Sequence, residues 1–258
     1  MTNATRKLES IILAAGKGTR MNSDLPKVLH PVADRPMVQW VVDACEGAGA
    51  QRNIVVVGHH AEWVQKELAD RRNCVFVEQK QQLGTGHAVM QAAPFYQGPE
   101  AGAIDVLVLC GDGPLIQTKT IIRLVEMHRR SGAAATLATA VLEDPSGYGR
   151  ILRNQQRRFV RIVEDKDATP EEKAIKEVNP SYYCFKAVDL LDGLSRIDNK
   201  NSKGEYYLTD VLGIFVKDGR RVEVVEAVPP QDVLSINTPE QLAEIDAILR
   251  NRVGVEAR

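Results

Sequence analysis

The chain has 258 residues, of which 44% are hydrophobic and 26% charged, with a formal net charge of −1 at pH 7. That length holds one large α/β domain or two small ones, and the composition is ordinary for a globular protein. The balanced charge argues against nucleic acid as a partner; the Arg pairs at 71–72, 129–130, 157–158 and 220–221 are scattered, as solvated element ends are. No stretch approaches the ~20 apolar residues of a membrane span, and no apolar leader segment follows the polar residues 1–9. Cys45, Cys74, Cys110 and Cys184 lie far apart, without metal-ligand or Cys-x-x-Cys spacing. The expectation is reduced, mostly buried thiols in a cytoplasmic protein with no membrane partner.

The first apolar run, Ser10-Ile11-Ile12-Leu13, has the β-branched content of a buried strand. It leads into residues 13–27, LAAGKGTRMNSDLPK. Small residues directly after a strand let backbone N–H groups approach an anion, and Lys17, Arg20 and Lys27 add three cations to the same loop. The pattern fits a loop around a nucleoside triphosphate. It fits equally a strand-to-helix turn with solvated cations. Two common phosphate motifs are excluded. A P-loop would need Gly-Lys-Ser/Thr where Gly18-Thr19-Arg20 stands, and a dinucleotide fingerprint would need a small residue at Met21.

Further along, Asn53–Val57, 74–77, 104–109 and 133–141 read as strands. Residues 36–45, 61–69, 85–93 and 118–130 read as helices, with Pro36 suited to a first turn. This alternation predicts an α/β fold: a Rossmann-like, mixed but mainly parallel sheet with helices on both faces. The loops after the first strand and after 104–109 are then expected on one crevice. Beyond about residue 145 the pattern changes. Residues 148–152 and Phe159–Val163 look like a hairpin, and 179–186 like an extended strand. Residues 205–216 look helical, 222–225 like a strand, and 238–249 like a final helix. The expected organisation is one unit over 1–258. A nucleotide-binding half covers about 1–145, a sugar-binding half about 146–237, and a C-terminal helix and tail 238–258. No linker, low-complexity segment, internal repeat or β-helical hexapeptide repeat is visible.

Two further stretches carry chemistry. In 107–114, LVLCGDGP, an apolar strand ends in Asp112 with Gly on both sides. A carboxylate at such a strand end suits Mg²⁺ shared with substrate phosphates, or serves as a turn or cap residue. In 79–88, QKQQLGTGHA, amide side chains precede a Gly-Thr-Gly helix start. Amides can read a base edge and glycines let a base lie against the backbone; a capped helix start with surface glutamines has the same pattern. His87 reads as a structural histidine, since no nucleophile stands near it.

LAAGKGTRM followed by LPK resembles the signature of sugar nucleotidyltransferases. With CGD, the QxxQLGTGHA segment, Gly147-Tyr148-Gly149-Arg150, 164–168 (EDKDA), 204–210 (GEYYLTD) and Ile236-Asn237 in order, the chain resembles N-acetylglucosamine-1-phosphate uridyltransferases over nearly its whole length. The resemblance implies the nucleotide-diphospho-sugar transferase fold. It implies UTP and N-acetylglucosamine-1-phosphate as substrates, UDP-N-acetylglucosamine and pyrophosphate as products, Mg²⁺ as cofactor and a place in cell wall biogenesis. Position by position, Leu13, Ala14, Ala15, Gly16 and Lys17 hold the nucleotide, and Arg20 and Lys27 sit on the phosphates. Gln79, Gly84 and Thr85 bind uracil, and Cys110, Gly111 and Asp112 line the ribose and metal region. Gly149, Glu164 and Asn179 hold the sugar, helped by Tyr207 and Thr209, and Asp112 and Asn237 ligate the metal. A homo-oligomer is compatible with the sequence.

The chain departs from the family at Asn179-Pro180-Ser181, where Gly is usual at the third position. Pro180 removes a donor and Ser181 adds a side chain, which opens the choice of sugar. It also stops at Arg258, where the family continues into a β-helical acetyltransferase domain, so no acetyl transfer is expected. Rival readings are the same reaction with another sugar-1-phosphate or nucleotide, or a non-catalytic nucleotide-sensing subunit or scaffold on the same fold.

Overall fold

The computed structural model describes residues 6–21, 23–234, 236 and 238–254. In chain order the strands are β1 (Lys7–Ala14), β2 (Pro31–Val32), β3 (Arg35–Pro36), β4 (Asn53–Val57), β5 (Cys74–Glu78), β6 (Ile104–Cys110), β7 (Ala135–Val141), β8 (Gly149–Arg153), β9 (Phe159–Val163), β10 (Glu177–Lys186) and β11 (Val222–Glu226). The helices are α1 (Met37–Gly47), α2 (Ala61–Glu67), α3 (Thr85–Met90), α4 (Thr118–Ser131), α5 (Pro170–Lys173), α6 (Ala187–Leu194), α7 (Thr209–Lys217) and α8 (Pro239–Val253).

Seven strands run side by side in the order β11-β7-β10-β6-β1-β4-β5, with β8 paired to β10 and β9 to β8. Pairs β1–β4, β1–β6, β4–β5 and β7–β11 are parallel; β10 runs antiparallel to β6 and β7, and β8 antiparallel to β10 and β9. The sheet is therefore mixed and mainly parallel, as expected. The continuous apolar runs explain it: all five residues of β4 are buried, and so are the first six of β6. A strand buried on both faces needs such a run. Helices α1, α2 and α4 bury Val38, Val41, Val64 and Leu124 on one face. Helices α3, α6 and α7 bury Val89, Leu190 and Phe215 on the other.

The chain goes from β1 outward to β4 and β5, then returns to β6 on β1's other side. This reversal makes the carboxyl ends of β1 and β6 a topological switch point, where open α/β sheets bind ligands. The last helix, α8, packs on this end. Ile245 and Leu249 share a small apolar cluster with Met21, Val32, Met37 and Leu115. Asp246 accepts the Ala33 N–H at 2.7 Å, and Arg252 donates to Leu115 O at 2.9 Å and to Asp232 at 2.6 Å.

The structure corrects several expectations. The helix predicted over 205–216 begins at Thr209, and 205–208 cross the structure without helical form. There Tyr206 gives its N–H to Leu83 O and takes that of Gly86, both at 2.8 Å, and these tertiary bonds outweigh local helix propensity. The helices predicted over 61–69 and 85–93 end at Glu67 and Met90, and α1 starts after Pro36, whose ψ of 138° is extended. Helix α6 follows β10 directly and was not expected. Cys45 and Cys184 are buried and Cys74 and Cys110 half-buried, and all four are free thiols.

Candidate active site

The loop after β1 is held against the end of β6. The Gly111 N–H donates to Leu13 O at 2.9 Å, which ties the two strand ends together. Gly18 sits at φ 63°, and a Cβ there would stand 2.7 Å from Lys27 Cβ. Glycine is thus required for the loop to fold back over Lys27. Pro26 opens a short 3₁₀ turn over Lys27–Leu29, and Lys27 Nζ reaches Asp112 Oδ2 at 2.5 Å. Their side chains are 13% and 24% exposed, so the pair faces the crevice while partly shielded from water.

The crevice has two adjoining hollows, of 260 and 510 Å³, which share Thr85, Cys110 and Asp112. The first is lined by Leu13, Ala15, Gly16, Lys27, Gln79 and Gly84 among the expected nucleotide residues. The second is lined by Arg20 and by the expected sugar residues Gly149, Glu164 and Asn179. Ala14 and Gly111 are buried beneath, where they shape the floor, and Lys17 is exposed on the loop beside the first hollow. Asn237 lies outside the described residues. Two expected sugar contacts are placed elsewhere. Tyr207 and Thr209 line a separate hollow behind Glu164; Thr209 Oγ1 donates to Glu164 Oε1 at 3.1 Å, and Tyr207 OH stands 3.5 Å from Asp167. They brace the wall from behind, because α7 starts only at Thr209 and leaves Tyr207 in the crossing segment.

In the first hollow Gln79 is 3% exposed, and its Nε2 donates to Gly84 O at 3.1 Å. The crossing segment 205–208 forms a wall here, with Glu205 on the hollow and Leu208 N–H donating to Thr85 Oγ1 at 3.1 Å. Gly84, at φ 102°, has no room for a Cβ, which would lie 2.6 Å from Tyr206 O. Gln82 also lines this hollow and donates to Ala15 O at 3.2 Å. It stands within the QKQQ motif, the signal that could have marked it. Tyr148 and Glu205 reach the crevice from the GYGR and GEYYLTD motifs, which could have marked them, and Gln241 reaches it from a distant segment that no local signal identifies.

In the second hollow burial pushes the Glu164 carboxyl above its usual range, and the hydrogen bond from Thr209 partly offsets this. Asn179 spends its amide within the protein: Nδ2 donates to Tyr183 OH at 2.6 Å and Oδ1 accepts the Ser181 N–H at 3.1 Å. Ser181 occupies φ 65°, the left-handed conformation that favours the glycine usual at this place. The Cys110 thiol is pushed up to about 12, first by burial and then by the nearby Asp112.

Among the described residues no cluster of three or more His, Cys, Asp or Glu side chains could hold a metal ion. Asp112 contributes one carboxylate at the junction of the hollows. A single hard oxygen donor of this kind suits Mg²⁺, which takes substrate oxygens and water as its other ligands.

The profile of the MobA-like NTP transferase domain matches residues 10–191. A bifunctional protein GlmU of Pelotomaculum thermopropionicum is 48% identical over 246 residues, which are 95% of this chain and 53% of that protein. One of Geobacter metallireducens is 47% identical over 249 residues, 96% of this chain and 52% of that protein. The chain spans about half the length of the curated relatives it matches. A solved UDP-glucose pyrophosphorylase complexed with UDP-glucose shares the fold, with a TM-score of 0.75 at 19% identity over 96% of this chain and 99% of that one. The chain belongs to the family of MobA-like NTP transferase domains, in agreement with the nucleotidyltransferase resemblance of its motifs.

Proposed function

We propose that this chain is a sugar-1-phosphate nucleotidyltransferase that makes UDP-N-acetylglucosamine and pyrophosphate from UTP and N-acetylglucosamine-1-phosphate, in the cytoplasm. The observation that carries the reading is the Lys27–Asp112 pair at the junction of two hollows, one with amide and glycine walls, the other with a carboxylate and polar groups. The relatives named GlmU support this choice of product.

In this reading a phosphate oxygen of the sugar phosphate attacks the α-phosphorus of UTP, the bond to the β-phosphate breaks, and pyrophosphate leaves. The attacking oxygen is already anionic, so no general base is needed. Cys110, with its thiol held neutral by burial, is no rival nucleophile. The protein's work is to align two anions and neutralise charge, which is positioning plus electrostatics. The N–H groups after β1 and the cations Lys17 and Arg20 hold the leaving pyrophosphate, and Lys27 the reacting phosphates. Mg²⁺ held by Asp112, with Asn237 as its expected second ligand, would supply further charge neutralisation between the substrates.

Pro180 and Ser181 on the second hollow favour one alternative, the same chemistry with a different sugar-1-phosphate. Pyrophosphate release from UTP and Mg²⁺, with N-acetylglucosamine-1-phosphate and glucose-1-phosphate run in parallel, tests both. Release that depends on the first sugar is expected. Release with glucose-1-phosphate alone moves the substrate, and UTP binding without release under any sugar phosphate overturns the enzymatic reading.

A further inference from the structure

We propose that His87 is a positioning residue for nucleobase choice: it locks the Gln79 amide so that its oxygen alone faces the base. The inference rests on the reading of the first hollow as the nucleotide site. Gln79 follows β5, and its backbone is fixed by its N–H on Val57 O at 2.8 Å. Its Nε2 stands 3.1 Å from Gly84 O and 3.0 Å from His87 Nδ1. A carbonyl oxygen accepts, so Gly84 defines which end of the amide is nitrogen. The two amide protons then go to Gly84 O and to the Nδ1 lone pair of His87. In this arrangement the His87 Nδ1 accepts, and the ring proton sits on Nε2. Gln91 holds the backbone of this turn rather than the ring. Its Nε2 donates to the His87 carbonyl at 2.9 Å and lies 3.3 Å from the ring Nε2. The shorter contact, to Gln79, takes the ring's lone pair. The Tyr206 ring lies 6.4 Å away, across the same turn.

With both protons spent, Gln79 presents an acceptor to the hollow it lines. An acceptor pairs with the N3–H of uracil or thymine. It opposes N3 of cytosine, which is itself an acceptor. Were the amide free to turn, its NH₂ would serve cytosine as well. A second pin on the amide therefore converts a promiscuous side chain into a selective one. His87 touches no substrate in this account and acts through Gln79.

The test is kcat/KM for UTP and for CTP in the wild type, His87→Phe and His87→Asn. Phe keeps the ring's bulk and removes the acceptor; Asn places a carbonyl oxygen near the position of Nδ1. In His87→Phe the UTP-over-CTP ratio is expected to fall about fivefold or more, the worth of one hydrogen bond, through KM for UTP with little change in kcat. His87→Asn is expected to keep the wild-type ratio. An unchanged ratio in His87→Phe, or an equal loss in both variants, overturns the inference. The ¹⁵N shifts of His87 in the wild-type protein give a readout independent of the variants' folding: an unprotonated Nδ1 supports the inference and a protonated one overturns it. Absence of UTP turnover in the wild type overturns the functional reading itself, and this inference with it.

Discussion

The two hollows differ in how they are built. The first is assembled mainly from short segments at strand ends, with residues 13–16 at the end of β1, 79–85 after β5 and 110–112 at the end of β6, joined by Lys27 and Glu205. Of its two glycines, Gly84 tolerates no Cβ, while Gly16 has open space around it. The second draws on 146–149, Glu164, 179–182, Val233 and Gln241, which lie far apart in sequence. Its polar side chains are mutually committed, as Asn179 to Tyr183 and Ser181 shows. A backbone cradle depends on glycine and strand patterns and tolerates little change. A side-chain pocket can be retuned one residue at a time. In the proposed reading the first hollow, for the nucleotide, is therefore the part that tolerates least change, and the second, for the sugar, the adjustable one.

That contrast predicts a gradient of effects. At the junction, Asp112→Asn and Lys27→Ala are each expected to lower kcat by about 10²–10³ with the fold retained, as lost electrostatic stabilisation does. Steady-state kinetics with circular dichroism check this, and near-normal turnover in either breaks the account. On the nucleotide side, Gly84→Ala forces a Cβ to 2.6 Å from Tyr206 O at a φ of 102°. It is expected to raise KM for UTP about tenfold or more, at a stability cost on the order of 1–3 kcal/mol, measured by kinetics and urea unfolding.

On the sugar side, Glu164→Gln is expected to raise KM for the sugar phosphate while helping the fold at neutral pH. The sign follows from the raised carboxyl: the folded state holds the proton more tightly than the unfolded one. Wild-type stability from this group is present at low pH and is lost as pH rises through the raised pKa. The glutamine variant lacks that loss, so its stability relative to wild type should increase from pH ~4.5 to ~7.5 in urea unfolding; a constant difference contradicts the burial argument. The smallest effect is expected at Ser181→Gly, which relieves a left-handed φ and should stabilise by roughly 0.5–1 kcal/mol. It should shift the ratio of sugar phosphates used more than KM for UTP. A shift in UTP binding instead would erase the distinction between the two sides.

The same contrast governs what was legible in the sequence. The strands of β1, β4 and β6 are unmistakable because a doubly covered strand must be a continuous apolar run. The residues Leu13, Gly16, Lys27, Gln79 and Asp112 could be marked because each sits in a local motif. The reversed strand β10 inserted between β6 and β7 was not foreseeable, since pairing across such separations leaves no local trace. Segment 205–208 carried a helical pattern that its hydrogen bonds to the Leu83–Gly86 turn override. Of Tyr207 and Thr209, named from a motif, Thr209 braces Glu164 from behind and Tyr207 stands by Asp167, and Gln241, from α8, lines the second hollow unannounced.

The most direct test of the two-sided account is an experimental structure of the chain with UDP-N-acetylglucosamine bound. The account predicts the uracil against Gln79 and Gly84, the diphosphate beside Lys27 and Asp112, and the sugar against Gly149 and Glu164. A base in the second hollow, or a sugar in the first, would contradict it.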